Sequence, residues 1–186
     1  HDGKELTISN IINTEISGGS LLAEPRYAWL ANFEDCHQVA LRRMTLGHVE
    51  AGYCMGGVIR FSNCTNVTID CCDLFGCGTY GIELISCRNV EIVESTIRDC
   101  SYGGVILRDV SGIVFRNCKF IGNDGFDLIQ ITDAFEDVTF QKCTFEHNKG
   151  IGSVFSIEGV ESRYGLFIHD CDFKENTYKQ ISNIPD

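Results

Sequence analysis

An internal repeat constrains the fold of this chain more than any other feature of its sequence. Five segments, each opening with Asn, Asp or Gly before alternating apolar residues, align at 66–74, 89–97, 112–120, 137–145 and 165–173. With one earlier copy, their first apolar positions are Val39, Val67, Val90, Ile113, Val138 and Leu166, spaced by 28, 23, 23, 25 and 28 residues. Because the motif is constant while its spacing varies, we expect the variation to lie in loops.

Within each repeat, apolar residues alternate with polar ones, as in Val67 and Ile69 or Ile82 and Leu84. A period of two residues is typical of β-strands, and no helical period competes with it. Two such strands, a third at a Cys-x-Phe position and intervening Gly, Asn, Asp and Ser indicate about three strands per repeat. The sequence therefore predicts an all-β fold, a parallel β-solenoid of about seven coils that bury one continuous core.

The 11 cysteines follow the same period. Counted from the first apolar position of each copy, most of them form three columns: Cys36, Cys64 and Cys87; Cys72, Cys118, Cys143 and Cys171; and Cys77 and Cys100. Apolar or small residues replace cysteine elsewhere in the first two columns, so we interpret these positions as compact core positions. The third column continues as Asn123, Asn148 and Asn176, which predicts an internal ladder of amides. Cys54 and Cys71 lie outside the columns.

Disulfides and zinc are the alternative explanations of the cysteines. Cysteines stacked on neighbouring coils have Cα atoms within the bonding range of about 4.4–6.8 Å, but parallel strands in register point their Cβ atoms the same way. Zinc is disfavoured because the sequence contains no Cys-x-x-Cys pair. We therefore expect free thiols, with disulfides between coils as the alternative.

Composition limits the domain count and the classes of partner. A chain of 186 residues with 44% hydrophobic residues fits one domain, which we assign to residues 1–186. No apolar stretch is long enough for membrane insertion, and a net charge of −11 leaves no basic surface for nucleic acid. No signal peptide or capping helix precedes the first coil, so we expect a processed chain or a piece of a larger protein. Oligomerisation is another way to cover the end coils.

The coil motif Asn-x-x-Ile-x-x-Cys-x-Phe and the returns Tyr80-Gly81-Ile82-Glu83-Leu84 and Tyr102-Gly103-Gly104-Val105 resemble the pectin-lyase-like superfamily, in particular its bacterial repeat proteins. The resemblance covers nearly the whole chain and implies a right-handed parallel β-helix, secreted or at the bacterial cell surface. Such helices include polysaccharide lyases, glycoside hydrolases, epimerases, tailspikes and adhesins, so the function has to be argued from a site.

Loops of variable length on one edge of a solenoid usually mark its binding face. Insertions are expected around residues 14–28, at 47–57 and at 149–153, each before the strand that opens the next coil. The outward positions of these opening strands form a strip of two rows: Arg60, Glu83, Ile106, Gln130 and Ser156, and then Ser62, Ile85, Arg108, Thr132 and Glu158. This strip predicts a groove for an extended polysaccharide or other glycan, with Arg60, Arg108 and Gln130 as substrate-binding residues.

The candidate catalytic residues are His48, Glu50 and Tyr53 in the 47–57 loop and Glu83 on the strip. A His or Tyr base beside Arg60 suits sugar elimination. Glu50 and Glu83 suit hydrolysis as acid and base if their carboxyl groups lie about 5–9 Å apart. The alternative is a loop that only covers the groove edge, with Arg60 and Glu83 forming an ordinary cross-strand ion pair.

Three further residues are candidate substrate ligands. Asp124 and Asp127 resemble part of the Asn-x-Asp-Gly signature of polygalacturonase-type hydrolases, but its other motifs are missing and turn chemistry also explains Asp124-Gly125. Trp29 either stacks on a sugar or covers the first coil. We predict no metal and no cofactor, with calcium as the alternative if outward carboxylates converge. The carboxylates considered are Asp70, Asp73, Glu91 and Glu94.

Two classes of function follow from this sequence. The first is a polysaccharide-processing enzyme, a hydrolase or a lyase, with its groove along the strip. The second is a non-catalytic surface, adhesin or structural module. Because the acidic chain repels polyuronates unless calcium intervenes, we expect an uncharged or cationic glycan.

Overall fold

Parallel pairing between successive coils organises every strand of the computed structural model, which describes residues 5–24, 28–50, 55–159 and 163–183. The predicted all-β, right-handed parallel β-helix is confirmed. Its described strands form a sheet of 13 strands and a sheet of 7 strands, and the latter has one strand for each complete coil. The described residues include no helix, and hence none long and apolar enough to cross a membrane.

Each coil contributes three successive strand segments, which we call its first, second and third faces. Coils 1 to 4 contain β1 (Leu6–Ser9), β2 (Ile12–Ser17), β3 (Ser20–Ala23); β4 (Ala31–Glu34), β5 (His37–Arg42), β6 (Thr45–His48); β7 (Ile59–Ser62), β8 (Thr65–Asp70), β9 (Asp73–Phe75); and β10 (Tyr80–Ile85), β11 (Arg88–Val93), β12 (Thr96–Arg98). Coils 5 and 6 contain β13 (Gly103–Arg116), β14 (Lys119–Ile121); and β15 (Ile129–Gln141), β16 (Thr144–Glu146). Coil 7 and the start of an eighth contain β17 (Ser153–Glu158), β18 (Arg163–His169), β19 (Asp172–Lys174) and β20 (Gln180–Ser182). β13 and β15 each continue from the first face into the second.

The core consists of side chains stacked on their equivalents in the next coil. Phe115 lies on Phe140 with ring centroids 4.6 Å apart, and Phe120 lies on Phe145 at 4.7 Å. All four rings are fully buried. The alternation read from the sequence therefore separates an apolar interior from a polar exterior, and burial of these rings is a large part of the stabilisation.

The cysteine columns are confirmed as interior positions. Their members are buried except Cys171, which is half-buried at the last complete coil. All ten described cysteines are free thiols, as expected from parallel strands in register. Cys71 is exposed at a corner, and Cys54 lies outside the described residues.

The predicted asparagine ladder is also present inside the corner between the third and first faces. The Asn123 side-chain amide donates to Asn148 Oδ1 at 2.9 Å and to the Ile97 carbonyl at 3.0 Å. Asn148 repeats the pattern, donating to Asn176 Oδ1 at 2.9 Å and to the Phe120 carbonyl at 2.8 Å. Each buried amide therefore satisfies a corner backbone group and the next amide.

The Asn, Asp or Gly that opens each repeat has a conformational cause. Asn66 and Asn89 are the second residues of β8 and β11 and have φ of 56°, and Gly112 at the equivalent position of β13 has φ of 66°. Asn, Asp and Gly adopt this left-handed conformation most readily. The motif therefore marks the bend at which the chain enters the second face.

We expect Asn148→Leu to lower the free energy of unfolding by at least about 3 kcal/mol, because it leaves several buried amide and carbonyl groups without partners. The matched control is Asn89→Gly, which removes an exposed amide that donates to Asn66 but retains a residue that tolerates positive φ. The control should lose less than about 1 kcal/mol. Chemical denaturation measures both, and equal losses would contradict a structural role for the buried ladder.

Stability should fall at alkaline pH because burial raises the pKa of the Cys36, Cys72 and Cys171 thiols. Above pH 9, where an exposed thiol ionises, the unfolded chain binds fewer protons than the folded one. The contribution is complete below that pH and is lost as pH rises, by at most about 1.4 kcal/mol per pH unit for each thiol. Denaturation curves between about pH 8 and 10 test this, and Cys72→Ala should show a shallower decline. A free energy of unfolding that is flat over this range would contradict it.

Candidate functional site

A strip of mainly polar side chains follows the outside of the first face. The strand register places Arg60, Glu83, Ile106, Gln130 and Ser156 side by side in one row. The second row consists of Ser62, Ile85, Arg108, Thr132 and Glu158. Both rows have the register predicted from the sequence, although Ile106 and Ser156 are buried within the first row.

Glu83 connects the two rows of the strip. Only 7% of its surface is exposed. Its Oε2 accepts a hydrogen bond from Arg60 Nε at 2.7 Å, and its Oε1 accepts one from Arg108 Nε at 3.2 Å. Arg60 also lies 3.6 Å from Glu5, and Arg108 donates to Thr132 Oγ1 at 3.4 Å. One shielded carboxylate therefore holds both guanidinium groups in place.

Trp29 covers the N-terminal part of the strip and is 7% exposed. Its ring lies under the Arg60 guanidinium, 4.5 Å from the ring centroid. The ring also lies close to Gly57, where an added Cβ would lie 2.2 Å from Trp29 Cζ3. Of the two interpretations of Trp29, the structure shows packing, because Arg60 and the Gly57 backbone enclose the ring that a sugar would need.

The expected location of His48 in an exposed loop is wrong. His48 ends β6, where it pairs with Ala23 of β3, and 1% of its surface is exposed. Its Nε2 lies 3.2 Å from the Gly57 carbonyl oxygen, so strand pairing and the next coil enclose the ring. Glu50 is exposed, and Glu83 is bonded to the two arginines. Tyr53 lies outside the described residues, and the catalytic roles of all four stay predictions.

An open cleft of about 420 Å³ lies further along the strip, over coils 4 to 7. Its lining consists of Tyr80, Tyr102, Arg108, Phe126, Asp127, Gln130 and Glu158. The aromatic members form a row along one edge: the ring centroids of Tyr80 and Tyr102 are 5.6 Å apart, and those of Tyr102 and Phe126 are 5.0 Å apart. The cleft therefore places an aromatic edge beside charged and amide side chains.

Two of the polar groups in this cleft have fixed orientations. The Tyr80 hydroxyl donates to Gln130 Oε1 at 2.8 Å, and burial raises the pKa of Tyr80 to about 12. Tyr80 is therefore a neutral donor at physiological pH. Asp127 Oδ1 accepts a hydrogen bond from the Ser153 amide at 2.6 Å, which ties this carboxylate to the following coil. These two hydrogen bonds therefore fix the orientations of the Gln130 side-chain amide and of the Asp127 carboxylate.

Asp124 and Asp127 separate in the structure. Asp124 is exposed and accepts a hydrogen bond from the Gly125 amide at 2.7 Å, as turn chemistry explains. Asp127 lines the cleft together with Gln130 and Arg108. Of the pair suggested by the partial hydrolase signature, only Asp127 lies in the cleft.

The sequence matches the family model described as a right handed beta helix region over residues 33–184. The chain belongs to this family. Three solved structures share the fold of this right-handed β-helix. The periplasmic alginate epimerase AlgG has a TM-score of 0.73 at 8% identity, covering 92% of this chain and 46% of AlgG.

The A-module of mannuronan C-5 epimerase AlgE4 from Azotobacter vinelandii has a TM-score of 0.58 at 13% identity, covering 94% of this chain and 56% of the module. A putative glycosyl hydrolase from Parabacteroides merdae has a TM-score of 0.54 at 14% identity, with coverage of 84% and 81%. This β-helix thus spans about half the length of the two epimerases. No curated protein matches the sequence.

The corners on the two sides of the strip differ in length between coils, and these differences determine where the cleft forms. The insertions predicted at 47–57 and 149–153 lie before β7 and β17, but the first begins later than predicted because β6 extends to His48, and residues 51–54 lie outside the described part of the chain. The insertion expected around 14–28 is wrong in its bounds because β2 and β3 extend to Ala23. An extension that the sequence did not indicate lies on the other side, between the first and second faces. The register shows that this corner gains one residue from coil 5 to coil 6, and two more in coil 7. Glu158 is the last residue of β17 before this corner.

The outward carboxylates considered for calcium are mostly engaged with arginines of neighbouring coils: Asp70 with Arg42, Asp73 with Arg98, and Glu91 with Arg116. Glu94 accepts a hydrogen bond from the Cys71 thiol at 3.5 Å. Within the described ranges, no three His, Cys, Asp or Glu side chains are grouped as a metal site requires. These carboxylates therefore form ladders between coils.

Sequence reasoning missed the aromatic row as part of the site, because Tyr80 and Tyr102 belong to the Tyr-Gly returns of the repeat. A signal was present: an aromatic residue follows the Cys77, Cys100 and Asn123 column by two or three positions in three successive coils. Residues at equal depth in successive coils stack, so this recurrence predicts a row of rings at the corner.

We expect Glu83→Gln to lower the free energy of unfolding by about 2 kcal/mol, because the amide leaves Arg60 and Arg108 without their shared shielded charge. The matched control is Glu91→Gln on the second face, whose ion pair with Arg116 is about half exposed. That change should lower the free energy of unfolding by less than about 0.5 kcal/mol. Denaturation at low and high salt measures both variants, and indistinguishable losses would contradict a special role for Glu83.

Proposed function

We propose that this β-helix binds an extended polysaccharide along the first face, in the cleft over coils 4 to 7. The observation that supports this most is the row of Tyr80, Tyr102 and Phe126 beside the polar strip that holds Arg108 and Gln130. Sugar rings present an apolar face and an edge of hydroxyl groups, so they suit an aromatic surface next to fixed hydrogen-bonding groups.

The repeat geometry supports a polymer over a single sugar. Successive coils lie about 4.8 Å apart, so the exposed residues of the strip and of the aromatic row are set at regular intervals. An extended chain lying across the coils contacts several rungs at once, and the weak contact at each rung adds to the next. The proposed ligand is therefore an oligosaccharide of several units.

The structural neighbours agree with a carbohydrate ligand by their names alone, which describe two epimerases, of alginate and of mannuronan, and a putative glycosyl hydrolase. Their sequence identities of 8 to 14% mean that the ligand of this chain has to come from its own cleft. We also propose that the protein is located outside the cytoplasm, where it has access to polysaccharides. Because nearly all of the described thiols are buried, an oxidising environment has little access to them.

Glycoside hydrolysis is a second candidate function, because two carboxylates, Asp127 and Glu158, line the same cleft. Hydrolysis by an acid and a base needs such a pair on opposite sides of the scissile bond. Product analysis after incubation with a panel of neutral, amino and acidic polysaccharides separates turnover from binding. New reducing ends that disappear in Asp127→Asn would establish hydrolysis, whereas binding with no product would favour the non-catalytic module.

We expect Tyr102→Ala to weaken binding of oligosaccharides about tenfold, because it removes the central ring of the aromatic row. The matched control is Phe167→Ala on the second face: Phe167 is 44% exposed and Tyr102 is 43% exposed, so both variants remove a similar exposed ring. Titration calorimetry with oligosaccharides selected from a glycan array measures both. Unchanged affinity in Tyr102→Ala, or equal weakening in Phe167→Ala, would contradict a binding site in this cleft.

A further inference from the structure

The arginines around the cleft are already neutralised by the protein. Glu83 bonds both Arg60 and Arg108, and Arg60 also lies 3.6 Å from Glu5. Two guanidinium groups and two carboxylates thus form one connected network with no surplus charge. Arg108 enters the cleft as a member of this network, so it offers a ligand hydrogen bonds but little uncompensated positive charge.

Asp127 and Glu158 are the other charged residues in the cleft lining. Asp127 accepts its hydrogen bond from the Ser153 amide at 2.6 Å, and Glu158 accepts one from the Ser156 hydroxyl at 3.5 Å. Among the side chains that the structure describes, neither carboxylate forms an ion pair with Lys, Arg or His. Among the described side chains, these two carboxylates therefore add two negative charges to the cleft without a paired cation.

Asp127 also acts on nearby tyrosines. Burial is the main cause that raises the pKa of Tyr80; Tyr102 raises it further, Arg108 lowers it, and Asp127 and Glu83 add smaller increases. Burial also raises the pKa of Tyr178, which precedes β20, with Asp124 and then Asp127 contributing. Asp127 therefore adds to a negative potential at both tyrosines.

We propose that the cleft recognises an amino sugar with a free ammonium group, carried by the polysaccharide of the proposed function on which this inference rests. The ammonium group donates hydrogen bonds to Asp127 and Glu158, and the sugar ring lies against Tyr102 and Phe126. A cation next to these rings gains from their electron-rich faces as well as from the carboxylates.

The same charges disfavour acidic polymers. A uronate carboxylate in the cleft faces Asp127 and Glu158, and the nearest compensating cation, Arg108, is held by Glu83. An N-acetylated sugar avoids this repulsion but leaves both carboxylates without a cation. The order of affinity is therefore free amine first, N-acetyl sugar second and uronate last.

The test measures binding of tetramers of glucosamine and of galactosamine, their N-acetyl forms and galacturonate by titration calorimetry, at a pH where the sugar amines are protonated. The free amines should bind at least about fivefold more tightly than the N-acetyl forms, and the difference should shrink at high salt. Asp127→Asn and Glu158→Gln each retain a hydrogen-bond acceptor and should reduce this preference about threefold. The control Glu136→Gln removes an exposed carboxylate of the second face and should leave the preference unchanged.

The outcomes separate this inference from the proposed function. Binding of N-acetyl or uronate tetramers as tight as that of the amines overturns the amino-sugar inference and leaves a polysaccharide site in place. An amine preference that survives in both carboxylate variants also overturns it. Binding of none of the tetramers, or binding unaffected by Tyr102→Ala, overturns the proposed site itself.

Discussion

Every part of this structure depends on parallel hydrogen bonding between coils in strict register. Because each residue pairs with its equivalent 23 to 28 positions away, a side chain always lies on the same kind of position in the next coil. Phe115 must therefore pack on Phe140, and the amide of Asn123 must meet that of Asn148. Each interior residue must pack on the equivalent residue of the next coil, and this requirement explains the columns of rings, thiols and amides.

Register has an electrostatic consequence on the outside. A column of identical charges repels itself along the helix, so outward charges alternate or find a partner in the adjoining coil, as Arg60 does with Glu83 and Arg98 with Asp73. Asp127 and Glu158 depart from this rule: Asp127 lies at the corner before β15, and Glu158 ends β17, where its register partner is Thr132 and not an opposite charge. Both unmatched charges therefore lie beside corners whose lengths differ between coils.

Most of the fold could be predicted from the sequence because register turns a linear period into spatial neighbours. The two rows of the strip, the thiol columns and the asparagine ladder all follow from counting residues. What depends on packing between dissimilar segments could not be predicted in this way. His48 is buried because β6 pairs with β3 as far as Ala23 and His48 and the ring lies against Gly57, and Trp29 is enclosed because Gly57 has no side chain. The aromatic edge of the cleft was not predicted from the sequence for another reason, because Tyr80 and Tyr102 also belong to the Tyr-Gly returns of the repeat.

The lengthened corners of coils 6 and 7 change the border of the cleft without changing the packing of the interior. In small domains these two properties usually change together. Extra residues enter between Arg108 and Val110 and their partners in β15, yet pairing resumes unchanged on the far side through Val138 and Phe140. Insertions at this corner therefore reshape the border of the cleft at no cost to the stacked interior. The ligand specificity of such a β-helix can therefore change by insertion and deletion at the corners. Point substitutions in the interior are limited by the need to pack on the equivalent residues of the two neighbouring coils.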